Sequence, residues 1–146
     1  MSKVIVVTGA SSGIGKSIAL FLSSKGFIVY GTCRNPKKYN IKDFELIKCD
    51  IDSAVEIKNC IKYIVKKEGI IDVLINNAGI GITGPLEETS ETDIKSAFQT
   101  NLFGPITIIK ECIPIMRKNN SGLIINITSV LGLSLIHISE PTRQFR

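Results

Sequence analysis

Short apolar runs alternate along the chain with longer stretches in which apolar residues recur every three or four positions. Runs of four to seven mostly apolar, β-branched residues are typical of buried strands, and amphipathic stretches are typical of helices that cover a sheet. The predicted strands are residues 4–7, 27–33, 44–50, 71–75 and 123–127. This alternation predicts an α/β fold with a parallel, doubly wound sheet and helices on both faces.

The first predicted helix follows the first strand, and the others run from about residue 53 to 67 and from about 90 to 117. Ser53 precedes the second helix as a plausible N-cap, with Glu56 at the position that completes a capping box. Helical spacing predicts two buried stripes, which are Ile14, Ile18, Phe21 and Leu22 in the first helix and Val55, Ile57, Ile61, Ile64 and Val65 in the second.

The loop between the first strand and the first helix, Thr-Gly-Ala-Ser-Ser-Gly-Ile-Gly at residues 8–15, carries very little side-chain bulk. Glycine permits a tight turn and a close approach of backbone N–H groups to an anion. The helix start adds unpaired donors and the positive end of the helix dipole. The sequence therefore predicts a loop that binds a pyrophosphate.

Two phosphate-binding families place glycines differently in such a loop. A P-loop needs Gly, four residues and then Gly-Lys-Ser/Thr, but five residues separate Gly9 from Gly15-Lys16-Ser17. The spacing Thr-Gly-x-x-x-Gly-x-Gly instead resembles the cofactor fingerprint of the short-chain dehydrogenase/reductase family. That resemblance implies a Rossmann-like fold and a nicotinamide dinucleotide cofactor.

Composition is typical of one globular domain that can bury a core. The 146 residues are 44% hydrophobic and 21% charged, and 18 Lys and Arg against 13 Asp and Glu give a net charge of +5. The basic residues are scattered without interleaved aromatics, so no nucleic-acid groove is expected.

Four isolated cysteines and one histidine predict neither a metal site nor a disulfide framework. No stretch predicts a signal peptide or a membrane span, and a cytoplasmic location is expected.

Arg34 follows the second predicted strand, where an acidic residue would accept hydrogen bonds from the adenosine ribose. Arginine instead offers a fork to a 2′-phosphate, to which Ser12 could add a hydroxyl, so NADP(H) is expected over NAD(H). The alternative is a solvent-exposed loop arginine. The family resemblance implies that Asp50 bonds the adenine amino group and that Ile51 flanks the ring, although a turn or N-cap role for Asp50 competes.

Residues 76–79, Asn-Asn-Ala-Gly, match the second signature of the family. Asn101 lies before a glycine and a proline inside the predicted long helix, where both are unfavourable, and such a conflict favours a functional bend over a plain helix defect. The resemblance implies that Asn101 holds a relay water through its carbonyl and that Ser129, with Thr128 as the alternative, stabilises the substrate oxyanion. The predicted cofactor-binding residues are Gly9, Ser11, Ser12, Gly13, Ile14, Gly15, Arg34, Asp50, Ile51, Asn77, Ala78 and Gly79.

The resemblance spans residues 3 to about 133 and then stops. The family uses a Tyr-x-x-x-Lys pair to exchange the proton and hold the nicotinamide ribose, but the three tyrosines are Tyr30, Tyr39 and Tyr63, and the last lysine is Lys118. Residues 134–146, which include His137, resemble a translated cloning adapter. We therefore expect residues 1–133 to form an incomplete NAD(P)-binding Rossmann domain, truncated after strand five, with an unrelated tail.

Three functions stay open on the sequence. The first is an oxidoreductase that transfers hydride between a nicotinamide and a small carbonyl or alcohol substrate, with this chain an inactive fragment of a homo-oligomer. The second is a dinucleotide-binding module without catalysis. The third is a P-loop phosphotransferase, which would require Lys16 to contact the phosphates.

Overall fold

A computed structural model describes residues 2–129 of the chain. It contains the strands β1 (Val4–Val7), β2 (Ile28–Cys33), β3 (Glu45–Lys48), β4 (Val73–Asn76) and β5 (Leu123–Asn126). The helices are α1 (Gly13–Ser24), α2 (Ala54–Glu68), α3 (Glu91–Phe98) and α4 (Gly104–Lys118). A π-helical segment, here the π-turn (Gln99–Phe103), joins α3 to α4. Residues 130–146, and with them the expected tail and His137, lie outside the described part.

The five strands form one parallel sheet in the order β3-β2-β1-β4-β5. The chain moves outward from β1 through β2 to β3 and then returns to the other side of β1 with β4. The carboxyl ends of β1 and β4 are therefore the switch point of the sheet, where open α/β folds bind ligands. This topology confirms the predicted Rossmann-like, doubly wound fold.

Both faces of the sheet are covered, because alternate residues of β1 point to opposite sides. Val4 and Val6 belong to a core with residues of α2 and α4, such as Ile64 and Ile108. Ile5 and Val7 belong to a second core that includes Ala19 of α1. Two cores on a single sheet account for the near-continuous apolar character of the central strands.

The helical stripes predicted from periodicity are wrong at three positions. Ile14 is 65% exposed, Phe21 is 61% exposed and Val55 is 69% exposed. Helix α1 approaches the sheet with Gly15 and Ala19, its two buried residues, so its larger side chains flank the contact. Val55 lies two positions before the buried Ile57, or about 200° around the helix, and faces away from the core.

The predicted long helix from 90 to 117 is present as α3 and α4, with the π-turn between them. Within residues 2–129, no helix has both the length and the apolar character needed to cross a bilayer.

Replacing Ile64 by Ala should lower the free energy of unfolding by about 2–5 kcal/mol, because the side chain is fully buried and its removal leaves a cavity. Val55→Ala on the same helix should change that free energy by about 0.5 kcal/mol or less, since Val55 is exposed. Urea unfolding followed by circular dichroism measures both. Equal losses in the two variants would contradict the assigned buried face of α2.

Candidate functional site

The loop between β1 and α1 is shaped for close contact with an anion. Gly9 and Gly13 have φ angles of +67° and +54°, which favour glycine. Ser12 is the N-cap of α1 in an extended conformation, and its side chain makes no capping hydrogen bond. The first turn of α1 also lacks an acidic residue. The helix start therefore keeps its positive character for a bound group.

Thr8 joins this loop to the end of β4. Its Oγ1 accepts hydrogen bonds from the backbone N–H groups of Asn77 and Ala78, both at 2.9 Å. The Asn77 Nδ2 donates to the carbonyl oxygen of Thr8 at 2.9 Å and to that of Gly9 at 3.3 Å. The neighbouring Asn76 donates through Nδ2 to Asn126 Oδ1 of β5 at 2.8 Å. The two asparagines thus tie β4 to both adjacent strands.

Two glycines permit this close approach. A Cβ on Gly9 would lie 2.9 Å from the Ala78 Cα. A Cβ on Gly15 would overlap the Asn77 side-chain nitrogen and lie 2.5 Å from the Gly9 carbonyl oxygen. Gly13 differs, because a Cβ there would meet nothing within 4 Å. Gly9 and Gly15 are therefore packing requirements of the loop, whereas Gly13 is required by its backbone angle.

A cavity of about 520 Å³, here the first cavity, opens at the carboxyl ends of β1, β2 and β3. It brings together all of the predicted cofactor-binding residues except Gly15, which packs beneath the loop. The sequence analysis missed six further lining residues, which are Thr32, Cys33, Cys49, Asp52, Ile80 and Thr100. Thr32, Cys33 and Cys49 could have been found from their position at strand ends. Lys16, which a P-loop would place on the phosphates, does not line this cavity.

Arg34 stands at the wall of the first cavity, immediately after β2. Its side chain is exposed, and among the described residues it has no hydrogen-bond or ion-pair partner. Beside it, burial holds the pKa of the Cys33 thiol above its usual value. The site at this end therefore offers one unpaired guanidinium and a thiol that stays neutral at pH 7.

Asp50 and Ile51 form the wall that follows β3. The Asp50 Oδ1 accepts from the Asp52 N–H at 3.1 Å, and the Asp50 N–H donates to Glu56 Oε2 at 2.9 Å. Ser53 caps α2 as predicted, accepting from the Glu56 N–H at 3.3 Å. The expected second half of the capping box is absent, because the Glu56 carboxylate holds Asp50 and Lys48 instead. Asp50 thus has the turn role that its position also allowed, and it lines the wall of the first cavity.

A hydrogen bond that the Cys49 thiol donates to Cys60, together with burial, raises the pKa of this thiol, which also lines the first cavity. The thiol stays protonated at neutral pH and provides no anionic nucleophile at this wall.

A second cavity of about 620 Å³ adjoins the first and shares with it residues 77–80. Both candidate catalytic residues, Asn101 and Ser129, line it together with Thr128. The rest of the lining is largely apolar and includes Leu102, Pro105, Ile106, Ile109 and Ile127. The arrangement offers a hydroxyl and an amide within an apolar surround. Ser129 and Thr128 both line the cavity just after the end of β5.

Asn101 lies in the middle of the π-turn. Its Oδ1 accepts from the Ile80 N–H, and its Nδ2 donates to the Ile80 carbonyl oxygen, both at 2.8 Å. A π-helical segment, not regular α-helix, occupies the position of the expected bend. Pro105 sits in the first turn of α4, where a missing N–H costs little. The side chain of Asn101, which the sequence analysis gave no role, holds the segment that follows β4.

The switch-point cavity and the glycine loop at a helix start define a Rossmann-like α/β domain. Comparison with known proteins places it more narrowly. A profile of the family described as short chain dehydrogenase matches residues 3–139. The chain therefore belongs to the short-chain dehydrogenase/reductase family of oxidoreductases, as its motifs indicated.

Three relatives illustrate the similarity. The 3-ketodihydrosphingosine reductase of Bacteroides thetaiotaomicron is 42% identical over 131 residues, which are 90% of this chain and 48% of that protein. The 3-oxoacyl-(acyl-carrier-protein) reductase FabG of Staphylococcus epidermidis is 35% identical over 142 residues, covering 90% of this chain and 58% of that one. The structure of ElxO with NADP bound aligns with a TM-score of 0.83 and 34% identity, covering 92% and 58%. The chain spans about half the length of the relatives it matches.

No group of three or more His, Cys, Asp or Glu side chains that could hold a metal ion occurs in the part of the chain that the structure describes.

Replacing Gly15 by Ala should lower the free energy of unfolding by about 1–3 kcal/mol, because the new Cβ displaces the Asn77 amide from Thr8. Gly81→Ala is the matched control, since a Cβ there meets nothing within 4 Å. Thermal unfolding of both variants measures the difference. A Gly15→Ala chain as stable as the control would contradict the close packing of α1 on Asn77.

Proposed function

We propose that this chain is the cofactor-binding part of an NADP(H)-dependent carbonyl reductase. The observation that carries the proposal is the pairing of Arg34, without a partner among the described residues, with an uncapped helix start in one cavity. A 2′-phosphate would receive the guanidinium fork, and a pyrophosphate would receive the N–H groups at the start of α1. The structure of the relative ElxO with NADP bound supports this choice.

When bound, the nicotinamide supplies a hydride equivalent to a carbonyl carbon. The residues of this chain bind the cofactor and orient the substrate for that transfer. Asp50 and Ile51 hold the adenosine end, and residues 77–79 let the chain pass close to the cofactor. Ser129, or Thr128 beside it, donates a hydrogen bond to the substrate oxygen where negative charge develops, and Asn101 lies across the same cavity.

We propose an aliphatic ketone as the substrate and reduction as the direction. The second cavity is lined by Leu102, Ile106, Ile109 and Ile127, which suit an alkyl chain. The names of the Bacteroides and Staphylococcus relatives both describe a ketone at the third carbon of a longer chain. Cells keep the NADPH pool reduced, which favours reduction over oxidation.

The proton for such a reduction has no donor among the described tyrosines. Tyr30 is buried, bonds Glu68, and has its pKa raised to about 12 by burial and by that carboxylate. Tyr63 donates to Glu45 at 2.6 Å on the surface, and Tyr39 follows a short helix after Arg34. None of the three lines either cavity. We therefore propose that the 146 residues bind the cofactor without turnover.

Self-association and a reducing compartment complete the proposal. Exposed apolar side chains that line neither cavity favour a homo-oligomer, and they are Phe98, Phe103 and Ile113 of α3, the π-turn and α4. The four cysteines are buried free thiols, which supports a cytoplasmic location.

A dinucleotide-binding module without catalysis is the second candidate, favoured by the placement of the tyrosines away from both cavities. A phosphotransferase has no such support, since Lys16 lines neither cavity.

Arg34→Ala should weaken NADPH binding by about 10- to 100-fold, since one charge-assisted contact to the 2′-phosphate is lost, and should leave NADH binding nearly unchanged. Arg117→Ala, which removes an equivalent charge in the last turn of α4, is the control. Calorimetric titration with both dinucleotides measures the four affinities. Equal weakening of NADPH and NADH by Arg34→Ala would contradict a 2′-phosphate contact.

The 146-residue chain should bind NADPH yet not oxidise it in the presence of ethyl acetoacetate, a small 3-keto ester, because none of the three tyrosines, all within the described residues, lines the second cavity. Fluorescence of the bound cofactor reports binding, and loss of NADPH absorbance reports turnover. Turnover above the protein-free rate would show that the chain contains its own proton donor. Absence of NADPH binding would instead overturn the cofactor proposal.

A further inference from the structure

The π-turn forms a wall between the two cavities. Thr100 lines the first cavity, and its neighbour Asn101 lines the second. Two consecutive residues of one irregular turn therefore face the two halves of the site. A shift of this turn on one side must move the residue on the other side.

On the side of the first cavity, Asp52 anchors the π-turn. The Thr100 Oγ1 donates to the Asp52 carboxylate, with oxygens at 2.9 and 3.0 Å. Thr100 is buried at 6% exposure, which makes this hydrogen bond its principal polar contact away from water. Close packing adds to it, because a Cβ on Gly104 would lie 2.8 Å from the Ile51 carbonyl oxygen. The turn thus rests on the adenosine-side wall at residues 51 and 52.

On the side of the second cavity, the two amide hydrogen bonds of Asn101 hold Ile80 from both its N–H and its carbonyl. Ile80 lines both cavities and follows the Asn-Asn-Ala-Gly segment directly. Asp52, Thr100, Asn101 and Ile80 therefore form a continuous chain of contacts from one cavity to the other.

We propose that Asp52 and Thr100 are positioning residues that couple occupancy of the adenosine end to the placement of Asn101 and Ile80. The proposal rests on the proposed function, in which the first cavity takes the adenosine end. A ligand that orders residues 50–52 stabilises the hydrogen bond between Asp52 and Thr100. The π-turn is then held in place, and with it Asn101 and Ile80 in the second cavity. By linkage, a group held in the second cavity favours adenosine binding equally.

The hydrogen bond between Thr100 and Asp52 favours coupling between the two cavities over a role in helix packing alone. A buried threonine in a helix ordinarily satisfies its hydroxyl with a carbonyl one turn earlier. Thr100 instead bonds a carboxylate 48 residues away, on the segment that the proposed ligand contacts. A hydrogen bond to an ionised acceptor is also stronger than a hydrogen bond to a neutral one.

The test begins with the ligand-free 146-residue chain and hydrogen exchange at single backbone amides. Thr100→Val removes only the hydroxyl, and exchange at the Ile80 N–H should become about tenfold faster as Asn101 loses its placement. The Thr8 N–H, bonded to the Ile75 carbonyl at 3.0 Å in the core, is the internal reference and should not change. Asp52→Ala should reproduce the effect.

Two matched variants distinguish loss of the Thr100–Asp52 hydrogen bond from a general loss of stability. Thr100→Ser keeps the hydroxyl and should restore slow exchange at Ile80. Glu91→Gln removes a carboxylate that pairs with Lys95 on the exposed face of α3, and should change neither amide. Parallel acceleration at Ile80 and Thr8, or no acceleration at either, would overturn the positioning role.

Adenosine 2′,5′-bisphosphate, the adenosine end of the proposed cofactor, tests the coupling itself. It should slow Ile80 exchange in the parent chain but not in Thr100→Val, although both should bind it with similar affinity. Equal slowing in the two chains would overturn the coupling. Failure of the parent to bind it would overturn the coupling and the proposed function together, while the ligand-free exchange would still decide the positioning role.

Discussion

The hydroxyl and carbonyl of Thr8 impose the constraint on which the rest of the site depends. Thr8 is 1% exposed, and through it the end of β1 holds a segment 69 residues further along the chain. The N–H groups of Asn77 and Ala78 are partly buried, and Thr8 supplies the acceptor that both of them use. These hydrogen bonds fix the glycine loop against the end of β4. Both cavities are built outward from that junction.

This constraint explains why the sequence was informative about the loop. Thr8, Gly9 and Gly15 are local signals, but their residue types follow from a distant partner, the amide of Asn77. A side chain at Gly9 or Gly15 would separate the two segments, so the pattern around residue 8 and the pattern around residue 77 are two halves of one packing requirement. Finding both in one sequence was therefore stronger support for the fold than either alone.

Periodicity located the strands and helices but did not orient every helix. The hydrophobic pattern predicts Ile14 and Phe21 as core residues, but both are exposed. Helix α1 instead contacts the sheet through Gly15 and Ala19, because small residues let the helix come closer to the strands. In the site, too, some residues could be predicted from the sequence and others could not. Arg34 and Asp50 follow strands and could be predicted from position, but Asp52 and Thr100 gain their meaning only from a contact across 48 residues. No local pattern contains that contact.

The irregularity of the π-turn is the last element to explain. A π-turn, Gly104 and Pro105 are each unfavourable in a long helix, yet all occur where the helix passes between the two cavities. Thr100 and Asn101 are consecutive residues of this turn, and they line different cavities. Gly104 then lets the chain return against Ile51. The local instability is offset by the contacts of Asp52 and Ile80, so the conformation persists only because both cavity walls hold it. A wall held from two sides keeps the two cavities in one fixed relation to each other.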